Sequence, residues 1–235
     1  MKKQLSILTI LTLIFAQSFA RDISEKKHLF GINGGFSFNT MGLDKNSTYK
    51  NSKNSVKPGG VVGISYEFRA PKVFGLEIGA NYANKGVQQK ISDPLLEKRS
   101  FNRLNFHTIE VPVIMKFYMG KKKVFNLNVG GYASYSAEVQ SRLKLDFKNN
   151  PPADYDETTK HLLKDHNDKD INGERPFRPY DAGVNVGFEF ISKAGFGVGA
   201  RIQQGFIDFT NPKFIVDDDK KVLNTNAIIY AIIKI

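Results

Sequence analysis

The chain has 235 residues, 34 of them basic against 23 acidic, a formal net charge of +11, and neither Cys nor Trp. Without cysteine it can hold no disulfide framework, no thiol metal site and no lipoprotein acylation site. The basic balance admits nucleic acid, anionic lipid headgroups or cell-surface glycolipids as partners, and the export signal read below argues against nucleic acid and for the other two.

Met1-Lys2-Lys3, the apolar run from Leu5 to Phe15 and Ser18-Phe19-Ala20 predict a secretory signal peptide over residues 1–20, cleaved after Ala20. The run is shorter than the roughly 20 apolar residues that a spanning helix needs. Residues 21–235 remain as one domain.

The first strand is expected over Leu29 to Thr40, where Phe30, Ile32, Phe36 and Phe38 share one face and Asn33, Gly35, Ser37 and Asn39 the other. Met41 to Gly59, rich in Asn, Lys and Ser, reads as a long exposed loop. The second strand, Gly60 to Arg69, sets Val62, Ile64, Tyr66 and Phe68 against Gly63, Ser65 and Glu67. A tight Ala70-Pro71-Lys72 connection leads to the third, in which Phe74, Leu76, Ile78, Ala80 and Tyr82 alternate with Gly75, Glu77, Gly79 and Asn81. A polar stretch from Gly86 to about Arg103 follows, then a fourth strand with Ile109, Val111, Val113, Met115 and Phe117 on one face.

Gly120-Lys121-Lys122-Lys123 turns the chain into the longest alternation, Val124 to Phe147. Its odd positions from Phe125 to Val139 are apolar or small, and its even positions from Asn126 to Arg142 are mostly polar or glycine. Lys148 to Pro179 is expected to be a loop with no core of its own, because it mixes Pro151-Pro152 with Asp, Glu and Lys. Strands six, seven and eight are expected over Tyr180 to Phe190, Phe196 to Phe209 and Val222 to Ile235, joined by the short Ser192-Lys193-Ala194-Gly195 turn and the loop Asn211 to Lys221.

Eight strands with connections alternating between long and short define the expected fold. It is all-β, an eight-stranded antiparallel transmembrane β-barrel preceded by a cleaved signal peptide, with the short turns periplasmic. A soluble barrel would also have eight strands, with the faces reversed. The aromatics choose between them. Phe30, Phe68, Phe74, Phe117, Phe125, Phe190 and Phe196 lie on the apolar face beside the short turns, and Phe38, Tyr82, Tyr135, Tyr180 and Phe206 lie on the same face about nine to eleven residues away. That spacing suits two interfacial girdles around an apolar band roughly 25 Å tall.

Ile109-Glu110-Val111-Pro112-Val113-Ile114-Met115-Lys116-Phe117-Tyr118, supported by Phe30-Gly31-Ile32-Asn33-Gly34-Gly35, Gly60-Val61-Val62-Gly63, Gly130-Gly131-Tyr132 and Asp181-Ala182-Gly183, resembles the PorT-like outer-membrane β-barrel proteins of bacteria that use type IX secretion. The resemblance covers the whole mature chain. It implies an outer-membrane barrel without a catalytic motif, and for members like PorT itself, assistance of secretion across that membrane.

On the inward face Glu67, Glu77, Glu110 and Glu189 oppose Lys116, Arg201 and Lys234, and are expected to form a hydrogen-bonded cluster that plugs the lumen. Surplus carboxylates there would need protonation, water or a staggered partner. Asp168, Asp170 and Asn172, followed by Gly173, reproduce the front half of a calcium loop, with Pro179 where its bidentate Glu belongs. No other cofactor is indicated. His107, near the outer rim, points towards lipid by parity and has no evident serine partner, so no enzyme is expected. The leading expectation is a non-enzymatic scaffold or surface-interaction protein that meets outer-membrane lipids and secretion or surface proteins. The alternative is a small porin-like or ligand-binding barrel.

Overall fold

The computed structural model describes residues 22–41, 52–70, 73–91, 100–120, 123–146, 155–162, 178–208 and 223–235. The expected signal peptide and the calcium loop at Asp168, Asp170 and Asn172 lie outside them. The described residues form ten β-strands and no helix: β1 His28–Met41, β2 Ser52–Ser55, β3 Lys57–Arg69, β4 Phe74–Ile91, β5 Phe101–Met119, β6 Phe125–Leu145, β7 Tyr155–Leu162, β8 Tyr180–Ile191, β9 Phe196–Gly205 and β10 Asn224–Lys234.

Eight of the strands close on themselves. The hydrogen-bonded order β1, β3, β4, β5, β6, β8, β9, β10 returns to β1, and every pairing in it is antiparallel. Closure leaves the ring without an edge, so its backbone polar groups are satisfied without solvent. Each ring strand matches one expected strand. The turns are as tight as expected: Gly120 and Gly195 take φ of 77° and 89°, and Lys123 follows at 51°, conformations that reverse the chain within a few residues.

The connections at the opposite end differ from expectation. Strand β4 runs on to Ile91 and β5 starts at Phe101, inside the stretch expected to be polar loop, and β6 continues beside β5 to Leu145. The supposedly unstructured 41–59 and 148–179 segments contain β2, paired to β4 over Ser52–Ser55, and β7, paired to β6 over Tyr155–Leu162. Composition excluded a buried core there. It did not exclude ladder pairing, because strands that outrun the ring leave open rows of N–H and C=O groups. The result is a five-stranded sheet, β2-β4-β5-β6-β7, standing on one side of the ring.

Alternation sorts the side chains as expected and decides which face is out. Phe36 is 72% exposed and Ile202 64%, while Glu67, Lys116 and Glu189 are fully buried. Apolar outside and charged inside is the inverse of a soluble barrel. One parity expectation fails. Val139 was placed on the outer face and is buried, because the β5–β6 register shifts between His107 and Thr108: His107 faces Glu138 while Thr108 faces Ser136. Ala137 is therefore a bulge residue, and beyond it Val139 turns inward while Glu138, Gln140 and Arg142, expected inside, turn outward. Val139 then packs with Met41, Val87 and Phe106 as an apolar layer at the long-loop end.

At the short-turn end, residues 22–27 cross the mouth of the ring. Ile23 is buried against Leu29, Ile191 and Ile232 in the larger apolar cluster. Its amide donates to the Lys193 carbonyl and its carbonyl accepts from Arg69 Nη1, both at 2.9 Å. The Asp22 carboxyl accepts from the Ser24 amide and pairs with Lys193 at 3.3 Å. The bonds from Ser24 hold its pKa at about 2.

Candidate functional site

The lumen is assembled from inward positions two residues apart on each strand. Glu67 and Glu77 face each other directly across β3 and β4, an arrangement of like charges that is unfavourable without cations between them. Three supply that compensation. Lys116 from β5 donates to Glu77 at 2.7 Å, Glu189 at 2.5 Å and Glu67 at 3.3 Å, reaching from β5 to β8. Lys234 from β10 contacts Glu67, and Glu77 at 2.7 Å. Arg69 Nε donates to Glu67 at 2.5 Å, and Tyr118 also donates to Glu67. Arg201 lies 3.8 Å from Glu189 Oε1, which also accepts from the Tyr230 hydroxyl at 2.7 Å.

A second group sits nearer the long loops. Lys85 donates to Glu110 at 2.6 Å, and Gln203 donates to the other oxygen of Glu110 at 2.7 Å. Of the residues expected to cluster, Glu67, Glu77, Glu189, Lys116, Arg201 and Lys234 are brought together, whereas Glu110 stands apart from them with Lys85 and Gln203. The expected surplus of carboxylates does not arise. Arg69 and Lys85, which the sequence analysis missed, bring five cations to the four glutamates. Parity could have found both, since Arg69 shares odd numbering with Glu67 on β3, and Lys85 with Glu77 on β4. Each was passed over because it lies at or beyond an expected strand end.

Three tyrosines fill the remaining space, and each lies against a glycine of a neighbouring strand. A Cβ on Gly75 would meet the Tyr118 ring at 2.9 Å, one on Gly183 the Tyr132 ring at 2.8 Å, and one on Gly199 the Tyr230 ring at 2.5 Å. The Tyr132 hydroxyl donates to Asp181 at 2.8 Å. An interior cavity bounded by Asn33, Glu77, Asn81, Arg201 and Tyr230 holds about 20 Å³, room for roughly one water. The described lumen is a packed ionic plug.

Outside the ring, a groove of about 520 Å³ runs over Phe30, Ile32, Ile64, Tyr66, Ile78 and Ile235. His28 Nδ1 and the Tyr66 hydroxyl share a hydrogen bond at its turn-side end, and the His28 ring packs 5.3 Å from that of Phe68. Away from the groove, at the long-loop end of the belt, the Tyr82 hydroxyl bonds His107 Nδ1 and Tyr135 packs on Tyr180 with ring centroids 5.2 Å apart. His107 faces outward as expected, beside Tyr82 and Glu138 and with no serine partner in any described bond. Among the described residues no group of three or more His, Asp or Glu is placed to hold a metal.

Above this aromatic row the extended sheet presents its own polar face. Arg142 holds Asp156 of β7 through Nε at 2.9 Å and Nη2 at 2.7 Å, and those hydrogen bonds depress the Asp156 pKa. Arg103 donates through the same two nitrogens, both to the single Gln88 Oε1, at 3.1 and 2.7 Å.

A family model described as outer membrane protein beta-barrel domain matches residues 15–211. No curated protein matches the chain. Among solved structures, it is similar to Ail, the attachment invasion locus protein of Yersinia pestis, at 11% identity and a TM-score of 0.45, covering 89% of this chain and 100% of that one. It is also similar to Neisserial surface protein A, at 13% identity and 0.44 with 88% and 97% covered, and to OprG from Pseudomonas aeruginosa, at 14% and 0.37 with 89% and 95% covered. Likenesses this distant carry no argument about function; the family match is what counts.

Proposed function

Because the chain belongs to the outer membrane protein beta-barrel domain family, we propose that it is a non-enzymatic barrel of eight membrane-crossing strands that anchors an interaction surface outside the cell. It is an outer-membrane protein. The observation that carries the proposal is the lumen: a barrel filled by four glutamates, five cations and three tyrosines has no aqueous path for solute. The exposed apolar belt between two aromatic rows supports the crossing. Specific contacts then belong to the ends of the barrel, and among the described residues the five-stranded sheet is the largest structure there.

In this reading residues 1–20 are removed on export, and the sheet engages a surface or secretion-system protein. The PorT-like resemblance supplies the finer setting, assistance of type IX secretion, with the periplasmic turns Arg69 to Lys72 and Gly120 to Lys123 as its points of contact. The porin-like alternative is disfavoured by the packed lumen.

Deletion of residues 154–174 tests the proposal. Among the described residues strand β7 pairs only with β6 and takes no part in the ring. The truncated protein should still fractionate with the outer membrane and run faster on gels when unheated, while losing the partner recovered by cross-linking to the intact protein. Steady, uniform channels from the purified protein in planar bilayers would overturn the proposal, as would full partner recovery by the assembled deletion variant and by one lacking β2.

A further inference from the structure

The outward face of β4, β5 and β6 changes chemistry in regular steps. Cross-strand register gives the rows directly: Tyr82, Ile109, Tyr135 and Tyr180; then Asn84, His107 and Glu138; then Gly86, Asn105 and Gln140; then Gln88, Arg103 and Arg142; then Lys90, Phe101 and Lys144. The bulge at Ala137 creates this order, because without it Glu138, Gln140 and Arg142 would point inward. At ~3.3 Å per residue and a strand tilt of roughly 40°, the arginine row stands ~15 Å above the tyrosines. That height is beyond the hydrocarbon, and the face looks sideways along the leaflet.

We propose that Arg103 and Arg142 bind the anionic saccharide headgroup of a glycolipid in the outer leaflet of the same membrane. The inference rests on the reading that the barrel crosses that membrane. The two arginines are direct cross-strand neighbours, and both guanidinium groups stack on the Phe101 ring, at 4.9 and 5.9 Å from its centroid. Like charges directly opposite each other are unfavourable without an anion between them. Gln88 and Asp156 take Nε and Nη2 of each arginine, which fixes both forks and leaves both Nη1 groups outside every described bond. With that side occupied, the Nη1 side of each fixed guanidinium is what remains to receive a phosphate or carboxylate oxygen. Lys90 is exposed beside them, and Lys144 pairs with Asp146 at 3.1 Å. Glu138, Asp156 and Asp146 are the carboxylates beside Arg103, Arg142, Lys90 and Lys144, so the cations still outnumber them. Asn105, Gln140 and His107 below offer the donors and acceptors a sugar needs. A glycan from another cell would approach from above, whereas this face meets headgroups already standing beside the barrel.

The experiment uses the full-length protein extracted in mild detergent, with purified rough-type lipooligosaccharide as the probe and bound glycolipid read by mass spectrometry. Wild type should retain the glycolipid at low salt and release it as sodium chloride rises. Arg103→Gln and Arg142→Gln should each weaken retention about tenfold, as loss of a charge-assisted hydrogen bond predicts, and the dephosphorylated glycolipid should bind as weakly as the double variant retains the intact one. The unheated gel shift separates the two readings, since loss of the shift in wild type defeats the barrel itself. With the shift intact, undiminished retention by the double variant or retention insensitive to salt would overturn the arginine site. Binding of soluble heparin in place of the glycolipid would overturn the assignment to the protein's own leaflet.

Discussion

Replacing Lys116 by Met keeps most of the side-chain volume and removes the cation that touches Glu67, Glu77 and Glu189. Glu67 retains Arg69 and Lys234, and Glu77 retains Lys234. Glu189 is left with the Tyr230 hydroxyl at 2.7 Å, the Asn126 side-chain amide at 3.4 Å and Arg201 at 3.8 Å, none of them a close cation, so it bears most of the loss. Breaking a fully buried pair by removing one partner costs about 3–5 kcal/mol. At ~1.4 kcal/mol per tenfold, this is roughly 10²- to 10⁴-fold in the ratio of folded to unfolded protein. Equilibrium urea unfolding in detergent micelles, followed by circular dichroism and by the unheated gel shift, measures it. Lys116→Met with Glu189→Gln should recover more than half the loss, because the stranded charge is then gone. A single-variant cost below about 1 kcal/mol, the value of a solvated pair, would refute the claim that the lumen is a dry ionic plug. So would a double variant no more stable than the single.

Three further outcomes follow from the same geometry. Val113→Arg, at a 45% exposed position in the middle of the outer belt, should cost about 2–4 kcal/mol and lower the yield of the heat-modifiable form, while Gln140→Arg above the bulge should assemble normally. Gly199→Ala drives a methyl into the Tyr230 ring and should cost ~1–3 kcal/mol, whereas Gly60→Ala, with nothing within 4 Å, should be close to neutral, both measured by urea unfolding. The Asp22 pKa is depressed from 3.8 to about 2, so its contribution to docking residues 22–27 is fully present above pH ~4 and is lost only as the pH falls through about 2. Hydrogen exchange at the Ile23 amide should then be equally protected at pH 7 and pH 5, and a loss of protection between those values would show that another group controls the mouth.

The ring itself was legible because period-2 alternation is a local signal and the faces were chemically unlike at every strand. Parity alone could not say which face was out; the aromatic residues beside the short turns on seven of the eight strands did, and the exposure of Phe36 and Ile202 agrees with them. What composition could not convey was where strands stop. Strand ends were drawn where the apolar residues ran out, at Tyr82 on β4 and Ile109 on β5, yet the ladder between them continues to Lys90 and Phe101, because backbone pairing does not require apolar side chains.

That single error propagated into the site. Lys85 was missed because its strand was thought to have ended, and without Lys85 and Arg69 the lumen seemed short of cations. The bulge at Ala137 is harder still to read, because nothing in Ser134-Tyr135-Ser136-Ala137-Glu138-Val139 breaks the alternation of the sequence; the register breaks because His107 pairs with Glu138 while Thr108 pairs with Ser136. A one-residue slip exchanges the faces of everything beyond it. Here it buries Val139 against Phe106 and turns Arg142 outward beside Arg103, so the residue that closes the long-loop end of the barrel and the residue that faces the leaflet are placed by the same irregularity. Deleting Ala137 should therefore do two things together, exposing Val139 and burying Arg142, and a protein that loses glycolipid retention but keeps its urea midpoint would show that the two are not coupled through the bulge.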